Sequence, residues 1–344
     1  MEKAKVAING LGRIGRMVLR QLIEDETVDL VAVNASYPPE TLAHMITYDS
    51  VHGKWNKEIE VAEDMLYIDD KPVSLCQERD PEQLPWRELG VDIVIEATGK
   101  FREREDAAKH ITAGAKKVII TAPGKQADAT IVMGVNDEAY DSENHDVISN
   151  ASCTTNCLAP VVKILDEEFG IENGLMTTVH SFTNDQKNLD NPHKDLRRAR
   201  GCTQSIIPTS TGAAKAISEV LPHLNGKLDG MALRVPTPNV SLVDLVVDVK
   251  GEVTKEAVNE AFRKAGEGEL KDIISYSEEP LVSIDYTTSP FSSIVDGLTT
   301  QVIGEKKVKV LAWYDNEWGY SARTVDLTKM VATQLMNTRH QKVS

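Results

Sequence analysis

Short apolar runs rich in valine and isoleucine recur through the first 150 residues, at positions 6–8, 30–33, 93–95, 118–120, 131–133 and 147–148. Continuous apolar strands separated by helical stretches predict a parallel sheet covered on both faces. Between the first two runs Ile14, Val18 and Leu22 recur every four residues, which puts them on one face of a helix over about 13–24. From about residue 153 the texture changes. A helix is expected over 156–169. A polar segment follows at 183–204, carrying Lys187, Lys194, Arg197, Arg198 and Arg200. It is too long for an ordinary connection, so it is expected to be functional or an interface. Alternating runs at 240–249 and 307–313 read as antiparallel or mixed sheet, with helices at 255–264 and 324–336. The change of texture places a domain boundary near residue 151.

Composition narrows the class. Of 344 residues, 41% are hydrophobic and 26% charged, which is ordinary globular usage and excludes disordered, collagen-like and coiled-coil chains. The net charge of −15 repels nucleic acid and anionic lipid, so neither is an expected partner. No apolar stretch approaches the roughly 20 residues of a membrane span, and a cytoplasmic location is expected. The four cysteines, Cys76, Cys153, Cys157 and Cys202, do not make a disulfide scaffold in a chain this long.

Gly10-Leu11-Gly12-Arg13-Ile14-Gly15 directly follows the first expected strand and opens the first expected helix. In that context the glycines permit a tight turn and close approach to a pyrophosphate, which the helix N-terminus attracts. An acid that would bond the adenosine ribose is expected about 20 residues on; Ala35 stands there, followed by Ser36. Without the carboxylate a 2′-phosphate is not repelled, so NADP is expected to be accepted and preferred over NAD, with weaker NAD binding as the alternative.

Cys153 lies at the start of the second expected helix, where orphan N–H groups and the helix dipole stabilise a thiolate. Cys157, one turn deeper, reads as buried and structural. A metal site is not expected, because no second ligand pair stands at metal spacing. His180 ends an apolar run 27 residues downstream and is the candidate base. Most of the other seven histidines lie in polar surroundings and read as surface residues. Arg234 sits in an apolar run, 231–235, which favours a ligand or a structural ion pair.

Several segments resemble phosphorylating glyceraldehyde-3-phosphate dehydrogenases in the family's order: Asn9 to Arg16, Glu96-Ala97-Thr98-Gly99, Ala151 to Pro160 around Ser152-Cys153-Thr154-Thr155-Asn156-Cys157, Thr178-Val179-His180, Ile206 to Ala216, Leu233-Arg234-Val235-Pro236, and Trp313 to Tyr320. Asn34-Ala35-Ser36-Tyr37 departs from the NAD-specific pattern and resembles the bacterial, NADP-accepting, gluconeogenic branch. The resemblance implies an α/β fold with a Rossmann-type doubly wound nucleotide domain and an α+β catalytic domain with a mixed or antiparallel sheet. The nucleotide domain is expected over 1–151, completed by a C-terminal helix at about 317–344, and the catalytic domain over 152–316.

By the same resemblance Cys153 attacks an aldehyde, His180 acts as base, and inorganic phosphate releases the thioester as an acyl phosphate. Arg234 and Thr183 match the substrate-phosphate site. Ser152, Thr211 and Gly212 match the site of the attacking phosphate, with Arg198 as a member unless Arg197 takes its place. Gly10, Gly12, Arg13, Ile14, Gly15, Ala35 and Ser36 line the cofactor. Asn316 matches the residue on the nicotinamide carboxamide, Tyr320 packs on the ring, and Arg79, Thr98 and Thr121 match adenine-side or loop contacts. Segment 183–204 matches an S-shaped loop at a subunit interface, so a homotetramer is implied. The rival readings are an erythrose-4-phosphate dehydrogenase and a binding or regulatory paralogue without turnover.

Overall fold

The computed structural model describes residues 3–343; positions 1, 2 and 344 of the expected nucleotide domain and final helix lie outside the described residues. The chain forms two compact units, Met1–Ile131 with Asp137–Ala151 and Ser321–Ser344, and Val132–Asn136 with Ser152–Tyr320.

The first unit is built on nine strands: β1 (Ala4–Asn9), β2 (Val28–Asn34), β3 (Ile59–Ala62), β4 (Met65–Ile68), β5 (Lys71–Cys76), β6 (Ile93–Glu96), β7 (Lys117–Ile120), β8 (Ala129–Thr130) and β9 (Val147–Ser149). Their order is β3-β4-β5-β2-β1-β6-β7-β9-β8. β1 lies between β2 and β6, parallel to both. The chain therefore leaves β1 to one side and later returns on the other, and the switch point of such a sheet leaves a crevice at the strands' carboxyl ends. The central strands are buried on both faces, as in β6 and β7, which explains their unbroken apolar runs.

Helix α1 (Arg13–Leu22) ends two residues earlier than its period predicts, and Ile14 is only half-buried; the core face is Met17, Val18, Leu19 and Leu22. The run at 131–133 is not a strand. Its side chains 131 and 132 are fully buried, but the Val132 N–H bonds to Asn136 Oδ1 at 2.8 Å and turns the chain out of the ladder.

The second unit holds a mixed sheet of eight strands: β10 (Ile171–Ser181), β11 (Ile207–Ser210), β12 (Leu228–Val235), β13 (Ser241–Val249), β14 (Ile274–Ser277), β15 (Ser293–Asp296), β16 (Gln301–Ile303) and β17 (Lys307–Tyr314). β10 runs parallel to β12 and antiparallel to β13. Along β13 buried and half-buried residues alternate strictly, the signature of a sheet with one covered face. Helix α2 (Cys153–Phe169) packs on β13, β15 and β17, with α3 (Ala213–Val220) and α4 (Lys255–Glu267) beside it. The last helix, α5 (Trp318–Val343), extends at both ends beyond the 324–336 that the apolar pattern predicts. No described helix is long and apolar enough to cross a membrane.

Candidate active site

In the first unit the glycine turn sits at the carboxyl end of β1. Gly10 has φ +97°, and a Cβ on it would lie 2.8 Å from the Thr98 backbone nitrogen. A Cβ on Gly15 would meet the Gly10 carbonyl oxygen at 1.9 Å, so helix and strand pack closer than any side chain allows. Gly12 is the N-cap of α1, which has no side-chain cap and no acidic residue in its first turn. A Cβ on Gly12 would meet no protein atom within 4 Å. The open approach and the uncapped helix terminus fit a dinucleotide pyrophosphate.

Arg13 is less available than the sequence suggests. Its guanidinium forms a two-pronged pair with Asp49. Burial works against the charged Asp49, but Arg13 and the N–H groups of His52 and Val51 outweigh it and hold the carboxyl well below its ordinary value. Ala35 follows the last residue of β2 and is buried, its N–H on the Cys76 carbonyl at 3.0 Å, while Ser36 is exposed. Arg79 is exposed on the loop after β5, tied to the end of β2 through Asn34, which bonds the Glu78 backbone. Thr98 bonds Glu96 Oε1 through both its N–H and its hydroxyl, and Thr121 Oγ1 donates to the Glu96 carbonyl at 3.1 Å.

In the second unit Ser152 is the N-cap of α2, its Oγ accepting the Thr155 N–H at 3.0 Å. Cys153 is thus the first residue of the helix, three residues earlier than the apolar pattern indicates. Its Sγ lies 3.4 Å from His180 Nε2. His180 Nδ1 stands 2.7 Å from the Ser181 carbonyl oxygen, which only accepts, and 3.1 Å from Arg234 Nη1, which only donates; assigning the proton to Nδ1 for the shorter contact leaves the Nε2 lone pair facing the thiol. Cys157 is fully buried.

Burial pushes the Cys153 thiol above its ordinary value, against the opposing pull of Arg234. Burial, with the nearby charge of Arg234, pushes the His180 imidazole down to about 3. Each group alone therefore favours its neutral form, the reverse of the lowered thiol expected from the helix terminus. Moving the proton from Sγ to Nε2 creates opposite charges in contact, and their attraction opposes the burial cost.

The strand register assembles the cationic groups. His180 pairs with Arg234 across β10 and β12, and Arg234 with Ile207 across β12 and β11. Arg234 Nη1 donates to the Ser181 carbonyl at 3.0 Å and to Thr183 Oγ1 at 3.2 Å. No carboxylate pairs with Arg234 among the described residues, and its buried Nε has no partner. Arg198 Nε donates to Thr209 Oγ1 at 2.9 Å and its Nη1 to Asp185, whereas Arg197 is exposed. Thr211 Oγ1 accepts the Ala213 N–H at 3.2 Å, and exposed Gly212 caps α3. Asn316 Oδ1 accepts from Ser241 Oγ at 2.8 Å, and that Oγ accepts the Ser181 N–H, fixing the amide beside the end of β10. Tyr320 is buried near the start of α5.

Sequence reasoning missed two groups. Tyr314 OH bridges Thr154 Oγ1 at 2.8 Å and Thr178 Oγ1 at 2.9 Å, joining the neighbour of Cys153 to the strand of His180. His110 is fully buried rather than solvated. Among the described residues no cluster of three or more His, Cys, Asp or Glu is placed to hold a metal ion.

Residues 152–316 match the family model described as glyceraldehyde 3-phosphate dehydrogenase, C-terminal domain, and residues 4–104 match glyceraldehyde 3-phosphate dehydrogenase, NAD binding domain. The chain is 66% identical over 333 residues to "Glyceraldehyde-3-phosphate dehydrogenase 2" of Bacillus subtilis (strain 168), covering 97% of this chain and 98% of the relative. It is 61% identical over 330 residues to "Glyceraldehyde-3-phosphate dehydrogenase" of Geobacillus stearothermophilus, with 96% and 98% covered. The counterpart in Staphylococcus aureus (strain MRSA252), again numbered 2, is 59% identical over 331 residues, with 96% of both covered. By both domains and nearly its whole length, the chain belongs to the glyceraldehyde-3-phosphate dehydrogenase family.

Proposed function

We propose that the chain interconverts glyceraldehyde 3-phosphate plus phosphate with 1,3-bisphosphoglycerate, using NADP in preference to NAD and working in the reductive, gluconeogenic direction. The observation that carries the reading is the thiol–imidazole contact of 3.4 Å beside an arginine without a carboxylate partner. The thiol proton passes to His180 Nε2 as Cys153 Sγ bonds the aldehyde carbon, and returns to the oxygen of the hemithioacetal. Nε2 then removes that hydroxyl proton during oxidation, leaving a thioester on Cys153. A bound nicotinamide supplies the hydride acceptor. Inorganic phosphate attacks the thioester, and the released thiolate recovers its proton from His180.

Arg234 and Thr183 hold the substrate phosphate. Ser152, Thr211, Gly212 and Arg198 hold the attacking phosphate, where arginine's planar fork matches the anion. Asn316 orients the carboxamide and Tyr320 packs on the ring. Gly10, Gly12, Arg13, Ile14, Gly15, Thr98 and Thr121 cradle the dinucleotide. Ala35 in place of an acid, with Ser36 and Arg79 exposed nearby, supports a 2′-phosphate. Leu189, Leu196 and Ile206 are 76%, 81% and 67% exposed in or beside the segment 183–204, which supports its burial between copies in a homotetramer.

Steady-state kinetics with both nicotinamides and both aldehyde phosphates tests the reading. The highest kcat/KM is expected with glyceraldehyde 3-phosphate, phosphate and NADP. An NAD preference removes the NADP assignment, an erythrose 4-phosphate preference assigns the sister activity, and no turnover makes the chain a binding paralogue.

A further inference from the structure

His110 and Glu96 are 0% and 1% exposed in the first unit, and the proposed chemistry uses neither. The Trp86 indole N–H donates to His110 Nδ1 at 3.0 Å, so the ring proton sits on Nε2. Nε2–H then donates to Glu96 Oε2 at 3.0 Å. The same oxygen accepts Asn9 Nδ2 at 2.5 Å, and Oε1 accepts the N–H and hydroxyl of Thr98. Buried polar atoms are paired in stable folds, and here protein donors reach both oxygens of Glu96.

The chain of bonds continues. Asn9 Oδ1 accepts from Asn34 Nδ2 at 2.7 Å, and Asn34 exchanges bonds of 2.7 and 2.9 Å with the Glu78 backbone. The Gly10 N–H donates to the Asn34 carbonyl at 2.9 Å. A single buried network thus crosses the carboxyl ends of β6, β1 and β2 and reaches the loop after β5. Gly10, Thr98, Ala35 and Arg79, all assigned to the cofactor above, hang directly on it or on the next residue.

We propose that His110, held by Trp86, is a positioning residue for the dinucleotide: it anchors Glu96, which sets the glycine turn, Thr98 and the end of β2 in register with one another. This rests on the nicotinamide reading of the first unit. The test is His110→Leu, which removes the donor to Glu96 and the acceptor of the indole N–H, with His110→Gln as the variant that keeps a donor. For His110→Leu the KM for NADP is expected to rise about tenfold with kcat within about twofold of wild type, since supporting groups act through the geometry of those they hold. Iodoacetamide labelling of Cys153 without cofactor stays at the wild-type rate, and His110→Gln recovers most of the affinity.

An unchanged KM overturns the proposal. So does a glutamine variant no better than leucine, or a fall of kcat and Cys153 labelling in step with affinity, which marks general loosening. If His110→Leu does not fold, Trp86→Phe, which removes the indole donor that holds the ring, carries the test: it is expected to raise KM at unchanged kcat and overturns the proposal if it does not. Absence of any NADP or NAD binding by the wild type is a separate result, which removes the nicotinamide reading itself.

Discussion

Two glycines of the same turn separate ligand binding from folding. Gly12→Ala adds a methyl that meets no protein atom within 4 Å, on a residue whose φ of −70° any residue adopts. As an N-cap alanine is poorer than glycine, at a cost of roughly 0.5–1 kcal/mol, so the melting temperature falls by only about 1–4 °C. The methyl does occupy the approach to the first-turn amides of α1. Keeping a phosphate off one such amide forfeits a hydrogen bond to a charged group, about 1.5–3 kcal/mol, or roughly ten- to hundredfold in affinity. Gly15→Ala places its methyl 1.9 Å from the Gly10 carbonyl oxygen, so β1 or α1 must move. Overpacking of that kind costs about 1–3 kcal/mol, and the turn is distorted as well. Fluorescence titration with NADP beside thermal melting distinguishes the two: Gly12→Ala loses affinity and keeps its fold, and Gly15→Ala loses both. Wild-type affinity in Gly12→Ala refutes the placement of a pyrophosphate on this turn.

Two further predictions concern the second unit. Tyr314→Phe strips a partner from the Thr154 and Thr178 hydroxyls, which are 4% and 1% exposed. Leaving them unsatisfied lowers stability by about 1–3 kcal/mol in denaturant titration, and an unchanged midpoint contradicts the bridge. His180, near 3 when folded, has an ordinary value of 6.5, so below 6.5 the unfolded chain binds a proton that the native state does not. Wild type therefore loses stability as pH falls from about 6.5 towards 3, and His180→Asn loses less over that window. Equal slopes of melting temperature against pH refute a buried neutral imidazole.

The parallel core and the glycine turn were legible because they follow from local pattern: unbroken apolar runs, then a glycine-rich step into a helix. The hairpin of β3, β4 and β5 was not, since its strands are short and half-exposed, and β5 carries Pro72. The apolar pattern alone starts α2 three residues late because Cys153-Thr154-Thr155-Asn156 is polar in type yet largely buried, and the Ser152 cap marks the boundary. His110 sits in a lysine- and alanine-rich stretch that resembles a solvated helix, and its partners Glu96 and Trp86 are 14 and 24 residues away. Arg198 and Arg197 differ by one position in a segment without period, so only the folded loop separates them. The rise of the Cys153 thiol was equally invisible, because the helix terminus is local whereas burial comes from the whole sheet.

Iodoacetamide labelling of Cys153 across pH, in wild type and His180→Asn, reads out whether the imidazole activates the sulfur. Slower labelling of the variant at neutral pH, a profile displaced to higher pH, and dehydrogenase activity lower by about two to four orders of magnitude are predicted. A variant that labels at the wild-type rate and pH contradicts the account.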